Sequence, residues 1–160
     1  MNAIFFKEGR GSMENQEGQK RVPIVEGWTI LEGENPHLMG NQCPSCGDYF
    51  FPKVYACRNP RCMSRDLKEV PLSREGKLWS FTVGYYEPPP PFRALGIFTP
   101  YGLAVVELLK EKMMVMGQVA SGVDMEKLSV GMDMEIVLEP LQKDSEGNEV
   151  IIWKWKPVKH

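Results

Sequence analysis

Four cysteines in two close pairs are the residues best placed to do chemistry. They stand in Cys43-Pro44-Ser45-Cys46-Gly47 and, with ten residues between Cys46 and Cys57, in Cys57-Arg58-Asn59-Pro60-Arg61-Cys62. Two thiolates two to four residues apart can turn onto one ion, and Gly47 lets backbone amides point back at the sulfurs. Two such knuckles supply four soft ligands in a tetrahedron, which suits zinc at Zn–S distances of about 2.3 Å. A mononuclear iron centre uses the same ligand set, and spacing does not separate the two. A catalytic zinc keeps a coordination position open for water, whereas four cysteines close the site. The expectation is one structural zinc per chain, held by Cys43, Cys46, Cys57 and Cys62, contributing folding energy to a segment too small for its own core.

Little else in the chain could catalyse a reaction. After the metal takes four cysteines no free thiol nucleophile remains. There are two histidines: His37 lies in a turn-rich stretch and reads as a surface or structural residue, and His160 is terminal. No G-x-S-x-G, phosphate-cradling Walker loop or G-x-G-x-x-G is present. Asp133 and Glu135 sit on one side of an alternating run, which suits a solvated strand face. Met113, Met114, Met116, Met132 and Met134 read as core and strand packing, with adaptable partner contact as the lesser alternative. No catalytic residue is therefore assigned.

The composition limits the class of protein. At 160 residues, 42% hydrophobic and 25% charged, the chain is an ordinary globular polypeptide of one or two small domains. No apolar run is long enough to span a bilayer, and the first twenty residues lack a signal-peptide core, so a cytoplasmic protein with no membrane partner is expected. Reduced thiols in that compartment agree with a metal site rather than disulfides. A formal charge of −2 gives no overall pull toward nucleic acid. Charge is uneven, however. Residues 41–77 carry seven basic and four acidic side chains between two acidic flanks. That middle is either a solvated surface or an anion-facing patch.

The elements that must position these residues follow from the pattern. Residues 1–22 are polar, Gly-rich and aperiodic, and are expected to be a disordered extension or a tag, with residues 1–12 left out of the fold. Residues 23–72 hold the ribbon, preceded by an extended segment that includes VPIVEGWTIL and the turn cluster EGENP. Residues 73–160 read as short strands: Leu78–Tyr86, Gly102–Leu109, Lys112–Ala120, Met132–Glu139 and Val150–Pro157. Lys110-Glu111 marks a hairpin, and Asp124 caps one or two helical turns before the fourth strand. In the last strand Trp153 and Trp155 share one face, Lys154 and Lys156 the other. Pro88 to Pro91 and Pro100 make the stretch from Glu87 to Tyr101 a long loop. Five strands with a short helix between the third and fourth is the element order of an OB-fold barrel. The expected fold is mainly β: a rubredoxin-like zinc ribbon followed by a five-stranded OB-fold.

The ordered string Cys43-x2-Cys46-Gly47, Phe51-Pro52, Cys57-x4-Cys62, Gly76-x2-Trp79-Ser80-x-Thr82-Val83, Pro100-Tyr101-Gly102, Val106-Glu107-Leu108 and Gly131-Met132 resembles the zinc-ribbon/OB-fold acyl-CoA-associated family. The likeness covers roughly residues 23–157. It implies a non-catalytic accessory subunit that binds a thiolase or thiolase-like enzyme in a hetero-oligomer and helps position its acyl-CoA substrate. A coenzyme A thioester is thereby a candidate ligand. Benzoylsuccinyl-CoA thiolysis in anaerobic aromatic degradation is one specific form that this role takes in the family. The C-x4-C knuckle and the four-proline run depart from the usual pattern.

The residues themselves suggest where such a ligand or partner would touch. Arg58 and Arg61 lie in the ribbon beside Tyr49, Phe50, Phe51 and Tyr55, where phosphates and adenine would find cations and aromatic surface. Arg93 follows the proline run in a loop with Phe92, Phe98 and Tyr101, and is expected to meet a substrate carboxylate or phosphate over a partner's acyl pocket. The bland readings are solvated arginines, aromatics that pack the ribbon, and a plain flexible loop. The alternative function is nucleic-acid binding, since ribbons and OB-folds both serve it with basic grooves and aromatic platforms. The acidic barrel argues against that alternative.

Overall fold

The computed structural model describes residues 20–31 and 35–159. The expected extension up to Gln19, residues 32–34 of the turn cluster, and His160 lie outside them. The chain starts its described path with β1 (Arg21–Pro23), followed by β2 (Thr29–Ile30), β3 (His37–Gln42), β4 (Tyr49–Phe50) and β5 (Lys68–Pro71). Then come β6 (Glu75–Gly84), β7 (Tyr101–Leu108), β8 (Met113–Val119), one 3-10 turn (Met125–Lys127), β9 (Asp133–Lys143) and β10 (Glu149–Pro157).

The last five strands close on themselves. Their order is β9-β6-β7-β8-β10, and β10 pairs back onto β9. The β8–β10 pair is parallel and the other four are antiparallel, as the crossover between β8 and β9 requires. This is the five-stranded OB barrel. Its pattern is that of half-buried strands: along β9 Met134 and Ile136 are buried, while Glu135 and Asp133 face out and pair with Lys156 and Lys77. Two strands are longer than the apolar runs suggest. β6 begins three residues early, at Glu75, because Gly76 permits a close approach: a Cβ there would collide with the Glu107 carbonyl and Val106. β9 runs on to Lys143 through Pro140, at the point where its register with β10 shifts.

The expected extended segment 22–31 splits. β1 runs parallel to β10 and so adds a sixth strand to the barrel sheet, while β2 joins β3 at the ribbon. Arg21 and Val22, grouped above with the extension, are thus in a strand. In the ribbon, β3 pairs with β2, β4 and β5. The fold is mainly β, a zinc ribbon followed by an OB barrel, as the element order and cysteine spacing indicate.

One core unites the two parts. Leu38 and Leu72 from the ribbon join Leu78, Val106, Leu108, Met134, Ile136 and Trp155 of the barrel, all at 1% exposure or less. Beside it lies an aromatic cluster centred on Trp153. Its ring meets Trp28 at 5.9 Å, Phe51 at 5.8 Å and Phe92 at 5.6 Å, so three separate segments pack on one indole. Polar groups fix the junction further. His37 Nδ1 lies 3.2 Å from the Leu72 carbonyl, a structural role. Glu111 in the β7–β8 turn is buried, and its Oε1 accepts from both the Ser73 amide (2.9 Å) and hydroxyl (3.0 Å). That carboxylate ties the hairpin to the linker between ribbon and barrel. Its second oxygen has no hydrogen-bond partner among the described residues, and a buried acceptor left unmatched costs about 1–3 kcal/mol, which offsets part of what the clamp contributes.

The methionines divide. Met134 is in the core and Met113 and Met132 pack against it, but Met114 and Met116 are exposed. The alternation along β8 decides this: Val115, Gly117 and Val119 point inward, which puts Met114 and Met116 on the outer face.

Candidate metal centre and loop crevice

The knuckles are built by turns. Gly47 adopts φ +83°, a left-handed conformation that glycine takes without strain, and its amide donates to the Cys43 carbonyl at 2.8 Å. The amides of Ser45 and Cys46 point at Cys43 Sγ, that of Asp48 at Cys46 Sγ, and that of Asn59 at Cys57 Sγ, at 3.4 Å. Buried Asn41 braces the intervening loop with two bonds to the Val54 backbone, at 2.9 and 3.2 Å. The four sulfurs lie within 4.8 Å of one another, with Cys43–Cys62 at 3.7 Å and Cys46–Cys57 at 3.5 Å. A tetrahedron with zinc–sulfur bonds of about 2.3 Å has edges of about 3.8 Å. The donor set therefore fits zinc, and its four thiolates would fill the coordination sphere.

Electrostatics around the sulfurs are uneven. Burial pushes the Cys43 thiol up, but the amides of Cys46 and Ser45 and the neighbouring sulfurs outweigh it and bring it down to about 7. Cys46 is eased by the Asp48 amide yet ends near 12, because burial and its three sulfur neighbours all disfavour a further charge. Four adjacent thiols cannot all ionise without a cation among them. That repulsion is what a divalent metal relieves.

The other expected contacts form two groups that lie apart. Arg58 and Arg61 are exposed on the second knuckle, where the Arg61 amide donates to Asn59 Oδ1. Tyr49 and Phe51 pack against the core, and Tyr55 is fully exposed. The proline loop is less free than its composition suggests. Phe92 is half-buried on Trp153, its amide donates to the Pro89 carbonyl, and the Leu95 amide donates to Gln142 Oε1 at 3.0 Å. Phe98 stacks edge-on with Tyr101 at 6.3 Å. Arg93 pairs with Glu87 at 2.5 Å and stays about half exposed. Leu95 and Ile97 stand in solvent.

Between loop and barrel runs a crevice that brings Phe92, Arg93, Phe98 and Tyr101 together. It also contains Gln118 and Ser121, which nothing in the sequence marks, together with Lys154 and the exposed Met116. Lys154 is almost buried and pairs with Glu139 at 2.9 Å. Its only sequence signal is a lysine alternating with tryptophans on β10. Among the described residues no helix is long and apolar enough to cross a membrane.

Comparisons with known proteins agree with this architecture. Residues 32–68 match the model of the ChsH2 rubredoxin-like zinc ribbon domain, and residues 69–139 that of the ChsH2 C-terminal OB-fold domain. Benzoylsuccinyl-CoA thiolase subunit BbsA of Geobacter metallireducens is 32% identical over 127 residues, 79% of either chain. A DUF35 domain-containing scaffold protein of Pyrococcus furiosus is 32% identical over 126 residues, covering 78% of this chain and 86% of the relative. A solved structure titled Ltp2-ChsH2(DUF35) aldolase superposes with a TM-score of 0.56 at 25% identity, covering 76% of this chain and 84% of that one. With a closed four-cysteine ribbon, an OB barrel behind it and relatives that share both along most of their length, the chain belongs to the ChsH2-type (DUF35) family of zinc-ribbon/OB-fold proteins.

Proposed function

We propose that the chain is a non-catalytic accessory subunit of a thiolase-type acyl-CoA C-acyltransferase, supporting assembly of the complex and binding of its acyl-CoA, with benzoylsuccinyl-CoA thiolysis as the specific candidate reaction. The observation that carries this reading is the reciprocal coverage: ribbon, junction and barrel together align with 79% of a benzoylsuccinyl-CoA thiolase subunit. The chemistry is compatible. Zinc would claim every cysteine, which leaves no thiolate to carry an acyl group. The scaffold could place the loop, with Arg93, Phe92, Phe98 and Tyr101, over a partner's substrate, and Arg58 and Arg61 against phosphates.

The test is purification of the tagged chain from native extract, followed by mass spectrometry and a thiolysis assay. A thiolase-sized partner and β-ketoacyl-CoA cleavage by the complex, with none by the chain alone, are the expected results. Co-purification of nucleic acid in place of an acyl-CoA enzyme would contradict the reading.

A further inference from the structure

The loop does more than cross the barrel. It roofs two adjoining cavities against β7, β8 and β10. One, of 270 Å³, is walled by Tyr86, Pro88, Pro89, Leu103, Met116 and Trp153 and is almost wholly apolar. The other, of 340 Å³, presents Arg93, Thr99, Ser121 and Lys154. Pro88, Phe92, Tyr101 and Gln118 border both, so they form the partition. Each chamber is near the lower end of the range for small-molecule sites, about 300–1,000 Å³, and suits part of a ligand rather than a whole cofactor.

The polar chamber has donors to spare. An ammonium carries three N–H donors and a guanidinium five. Glu139 engages Lys154 while also taking the Ser121 amide and hydroxyl, and Glu87 engages Arg93. Neither cation has its donors exhausted by its glutamate, which leaves both open to an incoming carboxylate. The apolar chamber offers no comparable partner to an anion, but it offers rings and a thioether to a flat or branched hydrocarbon.

We propose that this crevice is an acyl-binding site of the chain itself, with a compact aromatic or branched acyl group in the apolar chamber and a carboxylate at its other end held by Arg93 and Lys154. The proposal rests on the reading of the chain as an acyl-CoA accessory subunit for the class of ligand; the crevice supplies shape and charge. The site is complete without a partner enzyme, so the zinc-loaded full chain should bind by itself.

The experiment is a titration of that chain with 3-phenylpropionate, followed in proton–nitrogen NMR spectra, with succinate and 3-phenylpropionamide as comparators. Saturable shifts are expected at Leu103, Gly117, Gln118 and the Trp153 indole N–H. Succinate, which lacks the apolar group, should bind at least tenfold more weakly. Arg93→Ala should weaken the carboxylate about fivefold and leave the amide unchanged. Met116→Trp, at an exposed position, should fill the apolar chamber and abolish the shifts while the melting temperature stays at that of the native chain. Absence of saturable binding, equal binding of succinate, or a Met116→Trp variant that folds and binds normally would each overturn the proposal. A chain that binds none of the probes yet co-purifies with a thiolase removes the acyl site and leaves the accessory role. A chain that binds the probe but co-purifies with no acyl-CoA enzyme keeps the site and removes the role.

Discussion

Single residues carry the metal and much of the pH response. Removing one thiolate from a closed four-sulfur site leaves a coordination vacancy and lowers affinity. Cys57→Ser should therefore reduce zinc below one equivalent by elemental analysis and raise amide exchange across β3–β5, with β6–β10 less affected. Retention of a full equivalent with unchanged exchange would remove the metal assignment. Glu139 is a second case. Burial pushes its carboxyl up, but hydrogen bonds from Lys154 and Ser121 and the lysine's charge outweigh that, so it sits below its ordinary value of 4.5. A depressed carboxylate pKa stabilises the fold fully above the ordinary value, and that contribution fades as pH falls through the lower, folded value. Glu139→Gln should lower stability at pH 7 and converge on the native chain in strong acid. Denaturant unfolding of both chains from pH 7 down to pH about 3 checks this, and a constant gap across the range would contradict it. The comparison cancels acid loss of zinc, which affects both chains.

Among elements, the proline loop differs most between sequence and structure. Its length and prolines mark it as a loop, and its aromatics mark it as one that binds something. Nothing local shows that Phe92 would settle on Trp153, sixty-one positions away. That contact makes the loop partly structural. Replacing residues 88–99 by a short Gly/Ser linker should keep zinc and barrel secondary structure, but it exposes one edge of the Trp153 cluster. An aromatic pair contributes about 0.5–1.5 kcal/mol beyond its burial, so a moderate fall in melting temperature is expected. Phe92→Ala should show most of that fall, and Arg93→Ala almost none, because its ion pair is solvated. Calorimetric melting of the three variants checks the order. Equal destabilisation by Arg93→Ala would mean that the ion pair, not the ring, anchors the loop.

At the scale of the whole molecule, the legible features were those with strict local rules. Cysteine spacing announced the metal site, and strand alternation with one short helix before the fourth strand announced the barrel. Contacts between distant segments were not legible. Glu111 looked like a hairpin-turn residue, yet it is buried on Ser73, because only the folded chain brings the ribbon linker beside that turn. β1 straddles the expected boundary between the extension and the ribbon, yet it extends the barrel sheet, because the hydrogen-bonding edge of β10 exists only after the barrel has closed. Lys154 alternates with the tryptophans of β10, and nothing local shows that the loop would leave it almost buried. The likeness to the acyl-CoA family supplied the functional direction that the residues alone left open between thiolase subunit and nucleic-acid binder.

On the proposed reading this chain completes an enzyme without performing its chemistry. Reconstitution from separately purified components tests it most directly. The zinc-loaded chain and its thiolase partner are each assayed alone and then together for CoA-dependent cleavage of benzoylsuccinyl-CoA. No turnover is expected from the chain alone, little from the partner alone, and a rise of at least tenfold when both are present. Equal activity of the partner with and without the chain, or turnover by the chain by itself, would contradict it.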